Sequence, residues 1–174
     1  MKAKLVKESL NNILSPKSEN EILNDMVKLN PDNLLIKSSK NGFTKGVKLA
    51  LEKRANVHVN NNAALRGASE NGYTEIVKIL LDARADVHSK NDYALRYASE
   101  NGRTEVVKLL LDAGANIHVM NNYALIWASN NGHTEVVKVL LDAGADVHAN
   151  DDNALRCASE RGYAEVVKIL KKYM

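Results

Sequence analysis

The sequence predicts an all-α fold, a solenoid of stacked antiparallel helix pairs with short connectors. Glycines recur every 30 residues, at Gly42, Gly72, Gly102, Gly132 and Gly162. Histidines do the same, at His58, His88, His118 and His148. Within each period the apolar residues have helical spacing. A fixed period of this size is typical of repeat proteins, in which each unit buries its apolar face against its neighbours.

The period divides the chain into four full blocks and a shorter fifth block. The full blocks are 31–60, 61–90, 91–120 and 121–150, and residues 151–174 are predicted to form a C-terminal capping copy. A cap is expected there because Lys171 replaces the leucine that earlier blocks carry at this place. Residues 1–30 lack the repeat signature but have apolar residues at helical spacing. We expect 1–30 to form a degenerate helix pair, an N-terminal cap, since both ends of a stack need polar outer faces.

Residues 91–120 show the predicted first helix of one block. Asn91 and Asp92 offer side-chain oxygens that can cap the free amides at its start. A narrow apolar stripe is predicted at Leu95, Ala98 and Ser99, which lie three and four residues apart. The glycine at 102 can adopt positive φ and end the helix.

A second helix is predicted from about Thr104. Its core face is the wide stripe formed by Val106, Val107, Leu110 and Leu111. Gly114 is predicted to end this helix, and residues 115–120 are predicted to be a short extended connector. Each block is therefore helix, turn, helix and connector.

Composition argues against several classes of partner. The chain has 174 residues, with 24 basic and 21 acidic residues mixed along it and a net charge of +3. This balance gives little support for nucleic acid or an anionic membrane as the main partner. A single cysteine excludes an internal disulfide framework. No apolar run is long enough to span a bilayer, so we expect an intracellular, cytoplasmic protein without a membrane partner.

The blocks resemble ankyrin repeats. The resemblance is carried by residues 94–118, and most closely by Gly132-His133-Thr134-Glu135-Val136-Val137-Lys138 and Gly144-Ala145-Asp146-Val147. It covers residues 31–174. It implies a curved stack of antiparallel helix pairs that binds proteins on its concave side.

The blocks also depart from the usual ankyrin pattern, which has about 33 residues and a Thr-Pro-Leu-His tetrapeptide. Here the connector is three residues shorter and Tyr93-Ala94-Leu95-Arg96 stands at the tetrapeptide. The sequence leaves open whether a β-hairpin finger survives this shortening. Blocks of 30 residues resemble the ankyrin arrays of giant DNA viruses that infect amoebae, which would place the protein in the host cytoplasm.

No catalytic residue, metal site or cofactor is predicted, and we expect no enzymatic activity. Equivalent histidines of neighbouring blocks should lie about 8–10 Å apart, the packing distance of helices. That is too far to share one zinc ion, so a structural role in the connector is expected. The serines and acids repeat as regularly as the histidines, whereas an active site is one unique constellation. Cys157 is unique, but no partner histidine and acid can be named for it.

Differences between blocks predict a protein-binding surface on the first helices. The predicted partner-binding residues are Tyr93, Tyr97, Tyr123, Ile126, Trp127, Arg66 and Arg96. Their spacing on the first helix is shifted by two residues from the core stripe, so they face roughly the opposite way. Ile126 and Asn130 interrupt a series of Arg–Glu pairs four residues apart, such as Arg96 and Glu100. Packing of these rings between neighbouring blocks is the alternative that the sequence leaves open.

Two other functions are also compatible with the sequence. An RNA or single-stranded nucleic acid binder would use the column Arg66, Arg96 and Arg156 together with the aromatic rings. A self-associating structural module would need no foreign partner. We expect a monomer that binds an unidentified protein.

Overall fold

The computed structural model describes residues 28–174, so nearly all of the expected N-terminal cap at 1–30 lies outside the described residues. This part of the chain contains ten α-helices and no β-strand. The helices are α1 Pro31–Asn41, α2 Thr44–Glu52, α3 Val59–Asn71, α4 Thr74–Asp82, α5 Ser89–Glu100, α6 Thr104–Asp112, α7 Val119–Asn130, α8 Thr134–Asp142, α9 Ala149–Glu160 and α10 Ala164–Tyr173. The prediction of an all-α repeat solenoid is confirmed, and the connectors of the described part form no β-hairpin finger.

The helices associate as consecutive pairs. Only two or three residues separate the helices of a pair, for example residues 42–43 between α1 and α2. Such short links fold neighbouring helices back on one another. The odd-numbered helices are the first of each pair, and each packs on the first helix of the next pair. The even-numbered helices are the second of each pair, and each packs on the second helix of the next pair. The first helices approach each other more closely than the second helices do. The first helices therefore line one side of the stack and the second helices line the other.

Residue size explains this asymmetry. The facing positions of the first helices hold alanine and serine, and Ala94, Ala98 and Ser99 are essentially inaccessible to solvent. The second helices place larger side chains between them, of which Val106, Val107 and Leu110 are completely buried. The predicted core stripes are thus confirmed on both helices of this block, except that Leu111 is only partly buried. Their burial against neighbouring pairs is the main source of the stack's stability.

The predicted N-caps of the first helices are wrong. In helices α3, α5, α7 and α9, three residues in the left-handed region follow directly after the first residue, with φ between 50° and 59°. These turns are Asn60 to Asn62, Lys90 to Asp92, Met120 to Asn122 and Asn150 to Asp152. Asparagine and aspartate tolerate this conformation better than other non-glycine residues, which explains why they recur here.

The aspartate and asparagine at the end of each left-handed turn hold the connectors in place. The carboxylate of Asp92 accepts hydrogen bonds from the backbone N–H of Asn116 at 2.8 Å and from Nδ1 of His88 at 3.0 Å. The side-chain oxygen of Asn122 likewise accepts from the backbone of Asp146 and from His118. The periodic histidines therefore belong to a structural clamp that repeats with the blocks.

The predicted extended connector is also wrong. Residues 117–118 form a turn, α7 already begins at Val119, and only residues 115–116 lie outside turns and helices. Ile117 is buried in the core. The clamp around Asp92 fixes this turn, and such long-range contacts do not show in a periodicity of apolar residues.

Candidate partner-binding surface

Four aromatic side chains form a continuous row across two neighbouring blocks. Tyr93 and Tyr97 lie four residues apart on α5, and Tyr123 and Trp127 lie four apart on α7. The ring centroids of Tyr93 and Tyr97 are 3.9 Å apart and nearly parallel. Tyr97 lies 6.4 Å from Tyr123, and Tyr123 lies 5.6 Å from Trp127. We call these four residues the aromatic row.

Two arginines lie against the row. The guanidinium carbon of Arg66 is 4.9 Å from the ring centroid of Tyr93, and that of Arg96 is 5.0 Å from the centroid of Tyr123. Cations at such distances over aromatic rings are attracted by the ring quadrupole. Arg96 also lies within 6 Å of the rings of Tyr93 and Tyr97. It therefore contacts rings of both helices.

The left-handed turns fix the arginine side chains. Arg66 donates through Nε to the carbonyl of Asn61 at 3.0 Å and through Nη2 to that of Asn60 at 3.1 Å. Arg96 makes the equivalent bonds to Asn91 at 2.8 Å and Lys90 at 3.0 Å. Two charge-assisted hydrogen bonds to fixed carbonyls hold each guanidinium in one orientation.

The predicted Arg–Glu pairs four residues apart do not form. Instead the hydroxyl of Tyr93 donates to the Glu70 carboxylate at 3.2 Å, and that of Tyr123 donates to Glu100 at 2.9 Å. Each bond joins a first helix to the preceding first helix. Burial, reinforced by the neighbouring carboxylate, raises the pKa of both tyrosines above the usual value. The glutamates thus pair across blocks rather than within a helix.

The predicted site residues differ in accessibility. Trp127 is 37% exposed, and the three tyrosines of the aromatic row are half-buried. Ile126 and Arg96 are each only 8% exposed. The expectation that Ile126 presents itself to a partner is therefore corrected, because its side chain belongs to the apolar core. Arg96 packs against the tyrosine rings and presents little of its charged group to solvent.

Sequence reasoning missed two further residues on these helices. Met120 adopts φ of 51° and is 55% exposed, although Asn60 and Asn150 show that asparagine suits this position. Met120 is thus a strained, exposed apolar residue on α7, the helix that also carries Trp127. Gly67 stands where other blocks carry Tyr97 or Trp127 and so leaves a gap beside Tyr93. The sequence signal for this gap was a glycine at a position where later blocks have larger residues.

The comparisons agree with this architecture, which is that of a helical repeat solenoid. The family model described as ankyrin repeats (3 copies) matches residues 2–91, 68–121 and 95–174. The chain therefore belongs to the ankyrin repeat family. Ankyrin repeats are generally protein–protein interaction modules and are typically non-enzymatic. A comparison with curated proteins finds no match to this chain.

Residues 28–174 contain no cluster of three or more His, Cys, Asp or Glu side chains that could hold a metal ion. Each helix in this part of the chain is too short or too polar to cross a bilayer.

Proposed function

We propose that the chain is a non-enzymatic module that binds another protein through the aromatic row, on the concave first-helix side. The observation that carries the proposal is the exposure of Trp127, the single tryptophan of the chain. At 37% exposure, part of its ring surface is not used for packing within the fold. Tryptophan, tyrosine and arginine are the residues most enriched in binding hot spots.

The rigidity of the surface supports the same proposal. Tyr93 stacks on Tyr97, the other rings of the aromatic row contact each other at a tilt, and hydrogen bonds to the left-handed turns hold Arg66 and Arg96. Side chains that are already ordered lose little entropy when a partner binds. The row can therefore offer contact area at low ordering cost.

The nucleic-acid alternative has less support. It needs a row of free positive charges, but Arg96 is buried and Arg156 turns to the side chain of Asn153. Glu70 and Glu100 also place negative charge beside the tyrosines. A steep loss of binding with added salt would favour nucleic acid over protein. Light scattering across concentrations would detect the self-associating alternative.

We further propose that the protein comes from a giant DNA virus that infects amoebae. The 30-residue block length alone supports the resemblance to arrays of giant DNA viruses. Under that proposal the partner is met in the cytoplasm of the host cell. Immunofluorescence of cells that produce the chain tests this location.

The proposed function is tested by affinity capture from the native cell. The full chain is compared with Trp127→Ala and with Tyr173→Ala, a matched control that loses an aromatic ring of similar exposure outside the aromatic row. We expect a protein that is captured by the wild type and by Tyr173→Ala but not by Trp127→Ala. Equal capture by all three chains would refute the proposed surface.

A further inference from the structure

A small cleft lies at one end of the aromatic row, above Gly67. Its lining consists of Ile36, Lys40, Ala63, Arg66, Gly67, Glu70 and Tyr93. Its volume is about 230 Å³. Cavities that hold small-molecule ligands have roughly 300–1,000 Å³. The cleft therefore suits a single side chain of a partner better than a separate small molecule.

The absence of a side chain at Gly67 creates this cleft. Gly67 has an ordinary helical backbone, and a Cβ atom placed there would meet Cβ of Lys40 at 3.5 Å, an ordinary contact. The equivalent positions hold tyrosine, tryptophan and cysteine in later blocks, so the fold accepts bulky residues in this column. A glycine inside a helix lowers its stability, and the backbone at Gly67 does not require a glycine because its φ is not positive.

The cleft combines an apolar floor with an excess of positive charge. Ile36 and Ala63 supply the floor. Within the described part of the chain, no carboxylate lies within ion-pair distance of Lys40 or of Arg66. Arg66 uses Nε and Nη2 for backbone carbonyls, and Nη1 donates to no group of the described residues.

One negative charge also lines the cleft, that of Glu70. One oxygen of this carboxylate already accepts the Tyr93 hydroxyl. Two cations against one carboxylate leave the cleft with one net positive charge. The two cations differ in mobility. Three contacts fix the Arg66 side chain, whereas the Lys40 side chain is exposed and can move toward a bound group.

We infer that the cleft binds the side chain of an aspartate or glutamate from the partner protein, and that apolar residues beside this acid pack on the aromatic row. The inference rests on the proposed function and names the chemistry of the partner. A carboxylate can accept from the free Nη1 of Arg66 and attract Lys40, while the methylenes of a glutamate contact Ile36 and Ala63. Tyr93 belongs to both the cleft and the row, so one short segment can occupy both.

The test uses a displayed library of random twelve-residue peptides, selected on the full chain. Parallel selections use Gly67→Leu, which fills the cleft, and Gly67→Ala, a matched control that leaves most of it open. The wild type and Gly67→Ala should enrich peptides that combine an acid with aromatic or aliphatic residues. Gly67→Leu should lose the preference for the acid.

Affinities of one selected peptide complete the test. Replacement of its acid by the matching amide should weaken binding about tenfold, the effect of losing one charge-assisted hydrogen bond. Arg66→Gln should cause a similar loss, and the two changes together should add little further loss. A thermal melt of each variant verifies that it is folded.

The other outcomes separate this inference from the proposed function. Peptides whose binding requires Trp127 but which are not enriched in aspartate or glutamate would overturn the inference and leave the proposed function intact. Peptides that need the acid and respond to Gly67→Leu but not to Trp127→Ala would support the cleft and contradict the aromatic row. If no peptide is enriched, the cleft assignment is overturned, and capture from the native cell alone then decides the proposed function.

Discussion

The hydroxyl of Tyr123 donates a hydrogen bond of 2.9 Å to the carboxylate of Glu100, which links two consecutive first helices. Tyr93 makes the equivalent bond to Glu70. In contrast, Tyr97 and Trp127 donate to no group of the described residues. The aromatic row thus divides into two rings that help to join blocks and two whose polar atoms are free for a partner. The sequence allowed two interpretations of these rings, packing between blocks and binding of a partner. Tyr93 and Tyr123 fit the first, and Tyr97 and Trp127 leave room for the second.

The Tyr123–Glu100 bond predicts a loss of stability at alkaline pH. Burial and the neighbouring carboxylate raise the pKa of Tyr123 above 10.0, so the folded chain keeps this proton longer than the unfolded chain does. This contribution to stability is fully present below pH 10.0 and decreases as the pH rises further. Urea unfolding at pH values from about 8 to about 11 should show a steeper fall for the wild type than for Tyr123→Phe. Tyr97→Phe, which removes no such bond, is the control, and an equal slope for wild type and Tyr123→Phe would contradict this account.

The helix stop at Arg84 predicts a stabilising substitution. Arg84 has φ of 65°, whereas the equivalent Gly114 has φ of 90° with open space around it. A non-glycine residue is strained in this region, so Arg84→Gly should raise the free energy of unfolding by about 1 kcal/mol. Gly114→Arg should lower it by a similar amount. A clear loss of stability for Arg84→Gly, measured by chemical denaturation, would show that this arginine makes stabilising contacts.

The exposed Met120 predicts a second gain of stability. Asparagine, which stands at this left-handed position in two other turns, relieves the strain, so Met120→Asn should stabilise the fold by roughly 0.5–1 kcal/mol. If this methionine belongs to the binding surface, the same variant should bind the partner less tightly. Asn150→Met, the reverse change in the next block, should lower stability. A melting temperature that falls for Met120→Asn would contradict the assigned strain.

The buried serines predict that hydroxyl removal is favourable. The hydroxyl oxygen of Ser99 is inaccessible and has no hydrogen-bond partner among the described residues. Because an unpaired buried hydroxyl is costly and alanine is the better helix former, Ser99→Ala should stabilise by about 1 kcal/mol. Ser159→Ala is the matched control, since the exposed Ser159 donates to the carbonyl of Leu155 at 2.7 Å and should show no such gain. Destabilisation by Ser99→Ala would reveal a bond that this hydroxyl makes in solution.

Features of the fold that depend on local interactions could be predicted from the sequence, and features that depend on contacts between distant residues could not. The stripe of Leu95, Ala98 and Ser99 was predictable because burial imposes a local helical period. The left-handed turn before it was not, because its stability depends on Asp92 reaching Asn116, 24 residues away. The aromatic row was visible as a spacing on each helix. Its pairing with Glu70 and Glu100 depends on the distance between neighbouring helices, which a sequence pattern does not state.

The most direct test of the central claim measures the affinity of the captured protein for purified variants. We expect Tyr97→Ala and Trp127→Ala each to weaken binding at least tenfold, since truncation of a hot-spot residue typically costs upwards of about 2 kcal/mol. Helix content and melting temperature should change little, because Gly67 and Cys157 occupy the same column in other blocks. The control Tyr173→Ala should bind as the wild type does. Undiminished binding by Trp127→Ala, or its unfolding, would contradict the claim that this ring serves a partner rather than the fold.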